Sequence, residues 1–265
     1  MNGAKIPKTI HYCWLSGEKM PDDALKCIDS WKERMPDYSL VLWDTNRFDV
    51  DSHVFVKEAC RVRKWAFASD YIRLYALYTE GGVYLDTDVY VRRSFDDFLG
   101  HGFFTAVEYH EAHTKKGLRL LNEDGTLKDR GAGIFTHGIQ LQAAIMGAAK
   151  GHPFVKSCME RYDGRHFILE DGAFADKVLS PHIYADAAVG YGFRYKNELQ
   201  KLEPDMVIYP DTVFPSARSH EVDGSYAVHF CSGNWRGFRY RVSTWLRHNN
   251  FLRMLLGKKK IGKAT

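Results

Sequence analysis

Apolar and polar positions fall into short blocks along the chain, and the period changes from block to block. Residues 5–15, "KIPKTIHYCWL", read as a first strand. Residues 22–35 place Leu25, Ile28 and Trp31 at helical spacing, which predicts an amphipathic helix. "YSLVLWD" (38–44) reads as a second strand. Strand–helix–strand at the start favours an α/β sheet with parallel pairing. Residues 54–79 contain neither Pro nor Gly and predict one long helix, ended by Gly81-Gly82. A strand over 83–91 follows at once, then another over 102–110. Residues 111–133 are polar and glycine-containing and read as a mobile loop. Residues 138–162 read as mostly helical, interrupted around Gly151-His152-Pro153. Strands are predicted over 206–216 and 226–231, and a basic amphipathic helix over 238–256.

No repeat or low-complexity segment breaks this pattern. One domain over 1–237 with a basic tail over 238–265 is the simplest division. The composition is that of a globular protein, with 45% hydrophobic and 26% charged residues in 265. No run approaches the roughly 18 apolar residues of a membrane span, and the opening residues lack a signal-peptide apolar core. Five cysteines (Cys13, Cys27, Cys60, Cys158, Cys231) include no C-x-x-C pair. That suits reduced thiols in a cytoplasmic protein. The net charge of +4 is unevenly placed: nine Lys or Arg and no acid lie from Arg236 onward. Phe238, Val242, Trp245, Leu252 and Leu255 recur between those arginines. The tail therefore reads either as an interfacial helix for an anionic membrane surface or as a packed helix with a solvated basic end.

The chemistry concentrates in "EGGVYLDTDVYV" (80–91). Strand alternation puts Val83, Leu85, Thr87, Val89 and Val91 on one face, and Tyr84, Asp86, Asp88 and Tyr90 on the other. Two acids on a half-buried strand face suit a hard divalent cation, Mg²⁺ or Mn²⁺, which also grips phosphate oxygens. The competing reading is two solvated acids on an edge strand. Upstream, Trp65, Phe67, Ile72, Leu74, Tyr75 and Leu77 point all round their helix, so it is buried. Asp70 and Arg73 sit within it on one side, either as a structural ion pair or as a pair that hydrogen-bonds a polar ligand such as a sugar.

"AFASDYIRLYALYTEGGVYLDTDVYV" resembles the DXD signature of the family 32 glycosyltransferases and the corresponding segment of the large clostridial glucosylating toxins. The likeness rests on Ala66, Ser69-Asp70, Arg73, Leu77-Tyr78, Gly81-Gly82, Tyr84-Leu85-Asp86 and Asp88. "IPKTIHYCWLSG", "SWKERMPDYSLVLWD", "MGAAKGHPF" and "AVHFCSGNW" resemble other segments of that family.

The resemblance implies the glycosyltransferase A fold, an α/β sandwich with a Rossmann-like half. It implies metal-dependent, retaining transfer of a sugar from a nucleoside-diphosphate sugar to a glycan hydroxyl. Asp86 and Asp88 would be the catalytic acids, with Asp88 on the metal. Trp14 would pack on the nucleotide base. Ser69, Asp70, Arg73, Tyr84, Asp86 and Trp235 would bind the donor. His229 and Asn234 would complete the metal site, although the family commonly carries Ser where this chain has Asn234. Glu108, Gln140 and Gln142 are candidates to face the acceptor, each with a surface role as an equal reading. A lipid-diphosphate-linked glycan made for a bacterial capsule or O-antigen, at the inner membrane face, would suit the basic tail. No nucleic-acid partner is expected. Two other classes compete. A haloacid-dehalogenase-like phosphatase also uses D-x-D after a strand, but with Thr or Val where Tyr90 stands and near the first strand. A non-catalytic carbohydrate-binding protein would need no diphosphate metal.

Overall fold

A computed structural model of the chain describes residues 5–129, 136 and 138–231. They form one compact unit that ends at Phe230, and beyond it only Cys231 is described. Asn234, Trp235 and the basic helix anticipated over 238–256 lie outside the described residues.

The elements follow in the order β1 (Thr9–Cys13), α1 (Asp22–Arg34), β2 (Ser39–Trp43), α2 (Val54–Arg61), α3 (Trp65–Glu80), β3 (Gly82–Leu85) and β4 (Val89–Val91). Then come β5 (Phe103–Tyr109), α4 (Glu111–Leu118), β6 (Ile139–Leu141), β7 (Ile145–Ala148) and α5 (Pro153–Glu160). The described chain closes with α6 (Ser180–Val189), β8 (Gln200–Leu202), β9 (Met206–Tyr209) and β10 (Ala227–His229). The main sheet runs β2-β1-β3-β7-β5-β9-β8, with β6 beside β5. β1 pairs in parallel with β2 and β3, and β5 with β9, while β7 runs antiparallel to both β3 and β5. The sheet is therefore mixed. β1, β2, β3, β5 and β9 all point the same way and present their carboxyl ends along one edge, the usual ligand edge of an α/β sheet.

Each sheet face is covered. Tyr84, Phe103, Met146 and Ile208 pack beneath α2, α3, α5 and α6. Val83, Leu85, Phe104 and Ile145 pack on the opposite face against Ile28 and Trp31 of α1. Within α1 the buried stripe is Ala24, Cys27, Ile28 and Trp31, and Leu25 is exposed. Asp22 and Asp23 in its first turn, and Lys32 and Arg34 in its last, complement the helix dipole.

Four expectations change. The helix predicted over 54–79 breaks after Arg61. Arg63 takes φ +57°, its N–H reaches the Cys60 carbonyl, and the Lys64 N–H reaches the Ala59 carbonyl. This is a helix C-terminal turn made without glycine, so no composition signal marked it. The strand predicted over 83–91 is two strands in two sheets. β4 leaves the main sheet to pair antiparallel with β10, where Val89 faces His229. The 111–133 segment holds α4 and a turn pinned by the Leu121–Leu127 bridge, so its described part is ordered backbone and not a loop throughout. The helical reading of 138–162 holds only for α5. "IMGA" is a strand between β3 and β5, because a centre-sheet strand is buried on both faces and its small apolar residues look helical in isolation. Gly147 is required there, since a Cβ would lie 2.0 Å from the Phe104 ring.

Candidate active site

The sheet edge is populated by short sequence steps just past the strand ends. β3 stops at Leu85, and Asp86-Thr87-Asp88 form the turn into β4. The two acids are half-buried on a turn and not sealed within a strand, with 27% and 21% of their side-chain surfaces exposed. The turn is held from both sides. The Asp86 N–H donates to the Ala144 carbonyl, the Val89 N–H to the Asp86 carbonyl and the Phe230 N–H to the Asp88 carbonyl. α1 fixes the start of β4 through Trp31 Nε1–H to the Val89 carbonyl (2.7 Å) and Val91 N–H to Ser30 Oγ (3.0 Å).

β10 delivers His229 beside this turn. Its Nε2 lies 3.2 Å from Asp88 Oδ1, and Asp86, Asp88 and His229 each offer a ligand atom within 4.8 Å of the other two. Two carboxylates and an imidazole, half-buried and convergent, fit a divalent cation with positions left for substrate oxygens.

Behind the turn lies the charged centre of α3. Arg73 is 4% exposed and Asp70 8%, so both charges are largely shut off from solvent. Arg73 Nη2 sits 2.9 Å from Asp70 Oδ1 and 3.5 Å from Asp86 Oδ1. Its Nη1 donates to the Ala143 carbonyl (2.7 Å), Nε to the Ser69 carbonyl (3.2 Å) and Nη2 to Ser69 Oγ (3.2 Å). Its guanidinium also lies over the Tyr84 ring, 4.8 Å from the centroid. Tyr84 OH donates to Asp86 Oδ1 (2.9 Å). One arginine thus orients both the helix acid and the first acid of the turn. Burial pushes Asp70 up to about 6, against the pull of Arg73 and of the Ser180 hydroxyl. Burial also opposes the charge of Arg73, but Asp86 and Asp70 among its neighbours outweigh it and hold its pKa above the ordinary value.

The glycines that end α3 let this helix approach the sheet. Gly82 takes φ +116°, and a Cβ there would lie 2.7 Å from the Thr9 carbonyl oxygen. His11 locks the same corner: its Nε2 pairs with the Gly81 carbonyl (2.7 Å) while Trp43 Nε1–H donates to its Nδ1 (3.0 Å). This makes Nε2 the protonated nitrogen of a neutral ring, in accord with a pKa lowered by burial.

The structure thus brings Asp86, Asp88, His229, Asp70, Arg73, Ser69 and Tyr84 together. Ser69 and Tyr84 are enclosed, and their hydroxyls are engaged by Ala66 and Asp86, so both reach the site through other residues. Trp14 follows β1 on the same sheet edge, half-buried, with its Nε1–H on the Glu18 carbonyl (2.7 Å). Gln140 and Gln142 are buried. Gln142 donates to the Phe214 carbonyl (2.6 Å), and Gln140 meets the Thr136 carbonyl and His182. They are interior residues here, not surface ones. Glu108, near the end of β5, is half-buried and pairs with His110 Nε2 at 2.8 Å, which raises the His110 pKa. Ser180 and Tyr184 of α6 were not singled out from sequence, yet both hydrogen-bond Asp70.

A carboxylate turn beside a buried Asp–Arg pair thus lies at the carboxyl edge of a mixed α/β sheet. Residues 21–104 match the family described as "glycosyltransferase sugar-binding region containing DXD motif". The chain is 28% identical over 156 residues to inositol phosphoceramide mannosyltransferase 3 of Schizosaccharomyces pombe, a match covering 57% of this chain and 36% of that protein. It is 30% identical over 105 residues to an uncharacterised glycosyltransferase of Acanthamoeba polyphaga mimivirus, covering 37% of this chain and 42% of that one. The matches thus span less than half the length of either relative. The solved apo structure of mouse xyloside xylosyltransferase 1 aligns with 10% identity and a TM-score of 0.48, over 83% of this chain and 96% of that one.

Proposed function

We propose that this chain transfers a sugar from a nucleoside-diphosphate sugar to a hydroxyl of a glycan acceptor, with retention of anomeric configuration and dependence on a divalent cation. The observation that carries this reading is the convergence of Asp86, Asp88 and His229 within 4.8 Å, next to the buried Asp70–Arg73 pair. Asp88 and His229 are the direct ligands, with Asp86 beside them. Mn²⁺ or Mg²⁺ held there supplies positive charge against the charge that the diphosphate gains as the anomeric C–O bond breaks. Asp70 accepts hydrogen bonds from the donor sugar. Arg73 keeps Asp70 and Asp86 oriented. Trp14 offers a ring to the nucleotide base.

Retention follows from same-face attack. The acceptor oxygen bonds the anomeric carbon as the phosphate oxygen leaves, and the acceptor proton passes to that departing oxygen. No side-chain nucleophile is assigned. The family resemblance, and the inositol phosphoceramide for which the yeast relative is named, support an acceptor carried on a lipid, such as a lipid-diphosphate-linked glycan of a surface polysaccharide.

The test offers UDP- and GDP-sugars with Mn²⁺ and follows released nucleotide, by transfer or slow hydrolysis. Release should need the cation and drop by at least two orders of magnitude in Asp88→Asn. Equal release by Asp88→Asn and wild type would overturn the assignment.

A further inference from the structure

α6 brings two hydroxyls to Asp70 from more than 100 residues further along the chain. Ser180, the first residue of α6, donates to Asp70 Oδ1 at 2.8 Å. Tyr184, one turn on and on the same helix face, donates to the main-chain oxygen of Asp70, also at 2.8 Å. Both residues are buried. Asp70 Oδ1 is also the oxygen that faces Arg73 Nη2. Two donors therefore converge on one carboxylate oxygen, while 12% of the Asp70 side-chain surface stays open. The carboxylate cannot rotate without breaking one of those bonds, so its other oxygen, Oδ2, is held in a fixed direction. The first turn of α6 adds the partial positive charge of a helix N-terminus, which favours the ionised form.

We propose that Ser180 and Tyr184 are positioning residues for donor-sugar recognition: α6 fixes Asp70 so that Oδ2 is presented to a sugar hydroxyl. This rests on the reading of Asp70 as the sugar-side carboxylate. It makes α6 part of the donor site, although neither hydroxyl touches the donor. It also divides the site's tasks. The Asp86–Asp88–His229 turn answers to the diphosphate, and the α3–α6 contact answers to the sugar. Loss of a hydroxyl on α6 should then separate the two.

The experiment uses the full chain and the variants Ser180→Ala, Ser180→Thr and Tyr184→Phe. Affinity is measured for UDP and GDP, each with Mn²⁺, and for the sugar nucleotide that the wild type turns over. Ser180→Ala should lower kcat/KM for the sugar nucleotide about tenfold, the scale of one hydrogen bond to a charged group. Affinity for the bare nucleotide should move less than about twofold. Tyr184→Phe, which frees the Asp70 main-chain oxygen and leaves the carboxylate's own bonds in place, should show the same split to a smaller degree, and Ser180→Thr should keep the wild-type values.

A second readout does not depend on turnover. The Asp70 carboxyl is titrated by ¹³C NMR, assigned with Asp70→Asn. The groups facing Asp70 are Arg73, Asp86, Arg165, Tyr162, Tyr184 and Cys13. All of them remain in Ser180→Ala, so removing the hydroxyl alone should raise the Asp70 midpoint by about one pH unit. The acid limb of kcat/KM should move with it. An unchanged Asp70 titration in Ser180→Ala, or equal weakening of bare nucleotide and sugar nucleotide, overturns the proposal. A wild-type chain that binds no nucleotide sugar overturns the proposed function instead, and the Asp70 titration still decides whether α6 positions that carboxylate. Should Ser180→Ala fail to fold, Ser180→Cys, a weak donor of similar size, carries the same comparison.

Discussion

Replacing Arg73 with methionine keeps most of the side-chain volume and removes the charge that two acids share. In the folded protein Asp70 and Asp86 then face each other's field across a buried gap with no cation between them. Leaving one partner of a buried ion pair uncompensated costs about 3–5 kcal/mol. The Ala143 and Ser69 carbonyls that Arg73 serves also lose their donor. The cost should depend on pH, and the direction follows from Asp70. Its folded pKa of about 6 lies above the unfolded value of 3.8, so the folded state holds the proton longer. The associated stability is fully present below about pH 4 and is lost as pH rises through 6, on the order of 3 kcal/mol. Without Arg73 the folded pKa climbs further, and the loss continues to higher pH. Arg73→Met should therefore be far less stable than wild type at pH 8 and closer to it at pH 5. For a chain of this length each kcal/mol shifts Tm by roughly 2–4 °C, so the deficit at pH 8 should be about 10 °C. Urea unfolding at both pH values measures it. Asp70→Asn in the same background should recover a large part of the deficit at pH 8, because it removes the stranded charge. Equal destabilisation at both pH values, with no recovery in the double variant, would refute this account of Arg73.

Other consequences are as direct. Donor turnover should fall as pH drops below about 6, because protonated Asp70 loses its acceptor character towards the sugar; a kcat/KM profile flat from pH 5 to 8 would contradict that role. Mn²⁺ should raise the Tm of the wild type and leave that of His229→Ala or Asp88→Asn nearly unmoved, as followed by thermal unfolding with and without the ion. Gly147→Ala should cost about 1–3 kcal/mol or more by driving a methyl into the Phe104 ring, and Phe104→Leu in the same chain should return part of it in urea titrations.

The strand–helix–strand opening was legible because Ile28 and Trp31 mark the buried side of α1 and short apolar runs mark β1 and β2, although Leu25 is exposed and neither strand alternates in burial. The acids of the site were legible for the same local reason. Asp70 and Arg73 stand three apart on a helix with apolar residues all round it, and Asp86 and Asp88 flank one residue at the end of an apolar run. The glycines that end α3 were also readable, though not the close approach to Thr9 that requires Gly82 to lack a Cβ. Where the local pattern misled, a distant neighbour had outvoted it. "IMGA" has the composition of a helix and becomes a strand only because β3 and β5 leave a slot between them, narrow enough at Phe104 to demand glycine. The D-x-D segment alternates like a strand and becomes a turn because β10, about 140 residues later, pairs with β4 outside the main sheet.

By itself, then, the chain's sequence determined the chemical groups of this site and the α/β class of the scaffold that carries them. The tertiary structure decided the rest: that His229 closes on Asp88, that Arg73 serves two acids at once, and that α6 holds Asp70. The physical reason is range. Periodicity and residue type act over a turn or a pleat, whereas the hydrogen bond from Ser180 to Asp70 joins residues 110 apart, which only the packed sheet and its helices bring within 2.8 Å.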